Sequence, residues 1–241
     1  MNSPHAQMLD RSEPRSRIDR GSEFQDRLAS AAARCVSSLA ELPRVADILA
    51  GRITMTAYLA LLTETYHHVR HTVPILRLAR ARTASADERL RRAVHQQFVE
   101  AWGYDSLLLR DIAECGGDGH GVRLGRPAPA TRRLIEFAYD YVEADNPLGV
   151  FGMIYALEAT RAHLSVPAAK AITTALNVGP EGLRYLSARA EAGQDNLMVV
   201  ERLLGQVADP SDQAAIAEVT HTMFGLLADF LQDLPPHVVP T

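Results

Sequence analysis

The chain has 241 residues, 47% of them hydrophobic but only 6% aromatic, and a formal net charge of −4. Its apolar content is mostly Ala, Leu and Val, which favours helices over strands. Arginines interspersed among acids exclude the basic stripe that a nucleic-acid binder needs. Cys35 and Cys115 lie far apart in the chain, form neither a disulfide framework nor a metal-binding spacing, and read as buried free thiols. No basic-then-apolar leader and no apolar run long enough to span a bilayer are evident, so a cytoplasmic protein with no membrane partner is expected.

Residues 1–21 are rich in Ser, Pro, Arg and Asp, a composition that does not offset the entropy of ordering and predicts an unstructured arm. One domain is expected over 22–236. Ser22 caps a first helix to about Leu39, and Pro43 starts a short second one that ends before Gly51. Thr54 opens a long helix, about Ala57 to Arg82, that Pro74 kinks by removing a backbone donor. Ser85 and Glu88 stand at capping-box spacing and start another long helix to about Cys115, stopped by Gly116 and Gly117. Five glycines and two prolines between Gly116 and Ala130 predict a long structureless connection, read as a mobile lid. Because the glycine-rich run Gly116–Gly121 follows no strand, it is not read as a phosphate cradle. Helices follow over about Thr131–Ala144, Leu148–His163, Pro167–Leu176 and Glu181–Val207, and Pro210 with Ser211 starts the last, to about Leu234. Trp102, Tyr104, Tyr139, Tyr141 and Tyr185 are expected to pack the core of an all-α bundle, with Tyr104 and Tyr185 also candidates to line its cavity.

Chemistry concentrates between Leu62 and Pro74, which contains Glu64, His67, His68 and His71. At 3.6 residues per turn, Glu64 and His71 share one helical face with His68 between them, so a carboxylate and an imidazole point at one place in the interior. Helical bundles build carboxylate-bridged iron sites from such residues on facing helices. Glu64 and His67 offer a second geometry at Glu-x-x-His spacing. The plain alternative is a set of half-exposed histidines beside a proline kink.

The string LTETYHHVRHTVPIL, Leu62 to Leu76, resembles the first ligand helix of the haem-oxygenase-like diiron oxidases and oxygenases, whose Glu and His fall on Glu64 and His71. GMIYALEATRAHL, from Gly152 to Leu164, is similar to the middle ligand helix, whose glutamate falls on Glu158. GLRYLSARAEAGQDNLMVVERLL, Gly182 to Leu204, resembles the helix that normally reads His-x-Glu-x-Asp-x-x-His. Glu191 matches its glutamate, but Arg189, Gly193 and Asn196 stand at the three ligand positions, and neither a guanidinium nor a glycine ligates iron. HQQFVEAWGYDSLLLRDIAECGG, His95 to Gly117, resembles the Glu-Glu-x-Gly-His-(Glu/Asp) region, with Glu100, Gly103 and Asp105 kept and Tyr104 at the histidine position.

The resemblance implies an all-α, haem-oxygenase-like bundle of about seven to eight helices and an O2-dependent oxidase or oxygenase of small-molecule biosynthesis. Its substrates would be amino acids, fatty acids or carrier-bound acyl groups. Iron would be held by Glu64, His71 and Glu158 as a mononuclear or an incomplete dinuclear centre. Arg189 would stand at the second metal position, pairing with Glu64 or Glu158, or would hold a substrate carboxylate or phosphate; Tyr104 or Tyr185 would serve as donors. A homodimer is expected. Two alternatives stand beside this reading. One is a cofactor-independent enzyme of the same fold, like the pyrroloquinoline-quinone synthase type, with Glu64, His71, Glu158 and Arg189 as proton-transfer and anion-holding groups. The other is a non-catalytic binding protein that has lost its ligands.

Overall fold

The computed structural model describes residues 17–83 and 102–235, with positions 88, 92 and 95 between them. The expected arm up to residue 16, the proposed cap at Ser85, and Glu100 lie outside the described residues. Among the described residues there is no strand, as the Ala- and Leu-rich composition predicts.

The first helix, α1 (Arg17–Glu41), begins before Ser22, which lies inside it and does not cap it. Phe24, Leu28, Ala32, Val36 and Leu39 are all buried; their steps of four and three make one apolar stripe. A short α2 (Pro43–Leu49) starts on its proline. Thr54 caps α3 (Met55–Val69) by accepting from the Ala57 amide. The expected single kinked helix is two helices, because the chain turns at Arg70 and His71 before α4 (Thr72–Arg82). Pro74 therefore occupies the first turn of a new helix, where its missing N–H leaves no intrahelical bond unmade.

The helix expected to run unbroken to Cys115 is also interrupted. Gly103 adopts φ +88°, in the left-handed region that favours glycine, and α5 (Tyr104–Glu114) starts there. Trp102, expected in the core, is 66% exposed. The glycine-rich connection is not structureless: Asp118 accepts from the Gly121 amide at 2.9 Å and caps the short α6 (Gly119–Leu124). The next helix is α7 (Pro129–Ala144).

The centre of the bundle is α8 (Val150–Leu176), one helix where two were expected. Every residue from Val150 to Ala156 is buried, so this part is apolar all round and must be surrounded by other helices. Pro167 lies inside α8, but it and His163, whose carbonyl it leaves without a helical donor, are both exposed; the lost bond falls on the outer side of the bundle, where it costs least, and the helix continues. Asn177, at φ 52°, ends α8 in the left-handed conformation common at helix C-termini. Its main neighbours are α9 (Arg184–Leu204) and α10 (Pro210–Gln232). The helix α10 is long and apolar enough to cross a membrane by length and composition, contrary to the sequence expectation, but its apolar face is buried in the core through Ile216, Val219, Met223 and Phe224.

Candidate functional site

Three helices meet around one buried charge cluster. Glu158, on α8, is fully enclosed by the bundle, and its Oε1 accepts from Arg189 on α9 and from Arg161 one turn further along α8, the latter at 2.8 Å. Side-chain exposure is 5% for Glu158, 6% for Arg189 and 17% for Arg161. The Arg189 guanidinium lies over the Tyr104 ring, 4.7 Å from its centroid, and Tyr104 meets Tyr185 edge to face. Burial works against the charge on Arg189, yet the carboxylate of Glu158, helped by Tyr185 and Tyr104, outweighs it and raises the pKa above the ordinary arginine value. Tyr185 is buried as expected, and its amide donates to the enclosed carboxylate of Asp111, which also accepts from the Arg184 amide and so anchors the start of α9.

Two neighbouring chambers flank this cluster, sharing Leu157, Arg161, Tyr185 and Arg189 in their walls. The smaller, about 40 Å³, also touches Glu158, Tyr104 and Asn196. The larger, about 150 Å³, is walled chiefly by aliphatic side chains such as Ile48, Leu164, Ile172 and Leu186.

From α3 it is Leu61, Thr65 and His68 that face the larger chamber. His68 is buried against Phe230, and neither ring nitrogen completes a hydrogen bond. Burial pushes its pKa down to about 3, with Arg161, His71 and Arg189 acting in the same direction and the nearby Glu64 carbonyl opposing them. The imidazole is therefore neutral.

Glu64 and His71 turn instead toward α7. Glu64 accepts from the Ala128 amide at 3.0 Å and from the Thr131 hydroxyl at 2.5 Å, which fastens the start of α7 to α3. The Nδ1 of His71 pairs with the Tyr139 hydroxyl at 3.1 Å. Burial lowers the His71 pKa, and the positive charge of Arg70 lowers it further. His67 is buried beside the Tyr66 ring. Of the residues singled out in the sequence, the structure gathers Glu158, Arg189 and Tyr104 and separates Glu64 and His71 from the chamber walls. The spacing placed the first site helix about a turn off: the pair seven apart on the cavity face is Leu61 and His68. Arg161 was missed, although its position three residues after Glu158 was a readable signal.

Glu191 and Asp195 are exposed, so neither replaces the ligands missing from α9. Gly193 packs against α8: a Cβ there would lie 3.2 Å from the Cα of Ala162, and that approach closes the position at which the resembling helices carry an aspartate. An iron centre needs several anionic or imidazole donors converging on one point. Among the described residues no three His, Cys, Asp or Glu side chains converge in this way. Glu158 is engaged by two guanidinium groups, whose like charge opposes a divalent cation. Glu64 and His71 bond to α7 and do not converge with Glu158, so the described residues do not fit the mononuclear or incomplete dinuclear iron centre expected on Glu64, His71 and Glu158.

No curated protein matches the chain. Among solved structures it is similar to a domain of unknown function with a haem-oxygenase-like fold from Shewanella denitrificans, at 25% identity and TM-score 0.80 over 87% of this chain and 90% of that one. A TenA homologue from Pseudomonas syringae superposes with TM-score 0.69 at 13% identity, over 93% and 97% of the two chains. A CADD-like protein of unknown function from Nostoc punctiforme does so with TM-score 0.66 at 17% identity, over 88% and 96%. The expected all-α, haem-oxygenase-like bundle is thereby established. The family model for iron-containing redox enzymes matches residues 59–225, which include most of α3, all of α8 and α9 and the whole charge cluster, and the chain belongs to that family.

Proposed function

We propose that the protein is an oxidoreductase of small-molecule metabolism that binds a small organic anion beside the Glu158–Arg161–Arg189 cluster. The observation that carries this reading is the charge count: one carboxylate faces two guanidinium groups, and His68, the other ionisable side chain on the chamber walls apart from the tyrosines, is neutral. A buried net positive charge is costly unless compensated, and an anionic substrate supplies the compensation. Arg161 and Arg189 present further N–H donors in the planar arrangement suited to a carboxylate or phosphate. Fixed positive charge here serves in place of a metal centre, the arrangement expected of a cofactor-independent member of the fold. Cys35 and Cys115 are free and only half-buried, which agrees with a cytoplasmic setting.

Calorimetric titration of the full chain with hexanoate tests the binding step. Saturable binding is expected, weakened roughly ten- to a hundredfold in Arg161→Met, because hydrogen bonds to charged groups contribute about 1.5–3 kcal/mol. Binding of the same strength in Arg161→Met, or none in the wild type, would refute the reading.

A further inference from the structure

Four buried polar atoms in and around the chambers have no hydrogen-bond partner: Oε2 of Glu158, Nε of Arg189 and both ring nitrogens of His68. Buried polar groups are almost always satisfied, and each exception calls for a partner. Glu158 and Arg189, which both line the smaller chamber, leave one acceptor and one donor of the same ion pair without a partner. A partner that serves both must therefore offer a donor and an acceptor close together. A plain carboxylate does not, since it only accepts.

Charge decides between the remaining head groups. A carboxylate next to an ammonium is neutral overall and would leave the positive cluster uncompensated, whereas a carboxylate next to a hydroxyl brings one negative charge and one O–H donor. The larger chamber sets the rest of the molecule. Its walls are aliphatic and it has nearly four times the volume of the smaller one, about 150 Å³ against about 40 Å³.

Resting on the anion reading above, we infer that the site takes an apolar hydroxy acid, with its hydroxyl next to the carboxylate. The hydroxyl donates to Oε2 of Glu158, the carboxylate accepts from Nε–H of Arg189, and the alkyl tail lies in the larger chamber. Glu158 and Arg189 are then specificity-determining residues as well as partners of each other.

Three probes with the same six-carbon skeleton separate the possibilities on the unmodified full chain: 2-hydroxyhexanoate, hexanoate and norleucine, compared by isothermal titration calorimetry. The hydroxy acid is expected to bind roughly ten- to a hundredfold more tightly than hexanoate, the factor for one hydrogen bond to a charged group, and norleucine is expected to bind more weakly than the hydroxy acid. Equal binding of hexanoate and the hydroxy acid would mean that Oε2 is served by water; it would overturn this assignment and leave the anion reading standing. Norleucine binding as tightly as the hydroxy acid would overturn the charge argument. If none of the three binds, the anion reading falls and this inference with it.

Discussion

Removing Arg189 tests the charge cluster directly. In Arg189→Met the Glu158 carboxylate, with 5% side-chain exposure, retains only Arg161, which at 17% exposure still has access to water. Breaking a buried pair from one side costs about 3–5 kcal/mol, and the surviving Arg161 contact puts this variant near about 3 kcal/mol. The opposite change, Glu158→Leu, leaves two guanidinium groups facing each other with no counter-charge, and belongs near about 5 kcal/mol on the same scale. The double variant Arg189→Met/Glu158→Leu removes both buried partners and leaves Arg161 free to turn outward. It should cost no more than about 3 kcal/mol, because apolar replacement of a whole buried pair is often close to neutral. The single changes then sum to about 8 kcal/mol against at most about 3 for the double, a coupling of roughly 5 kcal/mol. Urea unfolding followed by circular dichroism measures all four proteins, with similar denaturant slopes showing that the unfolded states are comparable. Additive losses would refute the reasoning, since they would mean that Glu158 and Arg189 are not each other's principal partner.

Glu64→Ala should destabilise the fold by about 1–3 kcal/mol, by orphaning the Ala128 amide and the Thr131 hydroxyl, while hexanoate affinity stays within about twofold; loss of binding without loss of stability would place Glu64 in the site after all. His68 has a folded pKa near 3 against an ordinary value of 6.5, so between those values the unfolded chain binds the extra proton. Stability is then fully present above about pH 6.5 and is lost as pH falls toward 3, by on the order of 3–5 kcal/mol from this residue. His68→Leu should flatten that acid limb, and superimposable stability–pH curves for the two proteins would contradict the assignment. Gly193→Asp should cost at least about 1–3 kcal/mol, because its side chain must displace α8 at Ala162; a variant as stable as the wild type would show that the approach of α8 and α9 is not tight.

Local chemistry was legible where a helix boundary depends on a few neighbouring residues. Thr54 as a cap, Pro43 as a start and the proline-led opening of α10 are set by groups within one turn of each other. The all-α class followed from composition, and the resemblance of α8 and α9 to ligand helices put Glu158 and Arg189 in one cavity. The facing of α3 was decided only by tertiary packing. Leu61 and Glu64, each with a histidine seven positions on, stand only about 60° apart around α3, and His71 lies on the turn beyond the end of that helix at Val69. Nothing within that segment says which of the two faces meets α8. The choice is made by Thr131 and the Ala128 amide, more than sixty residues away, which engage the Glu64 carboxylate at the start of α7. That contact turns the neutral imidazole of His68, not the carboxylate, toward Arg161 and Arg189, and so gives the cavity its positive charge.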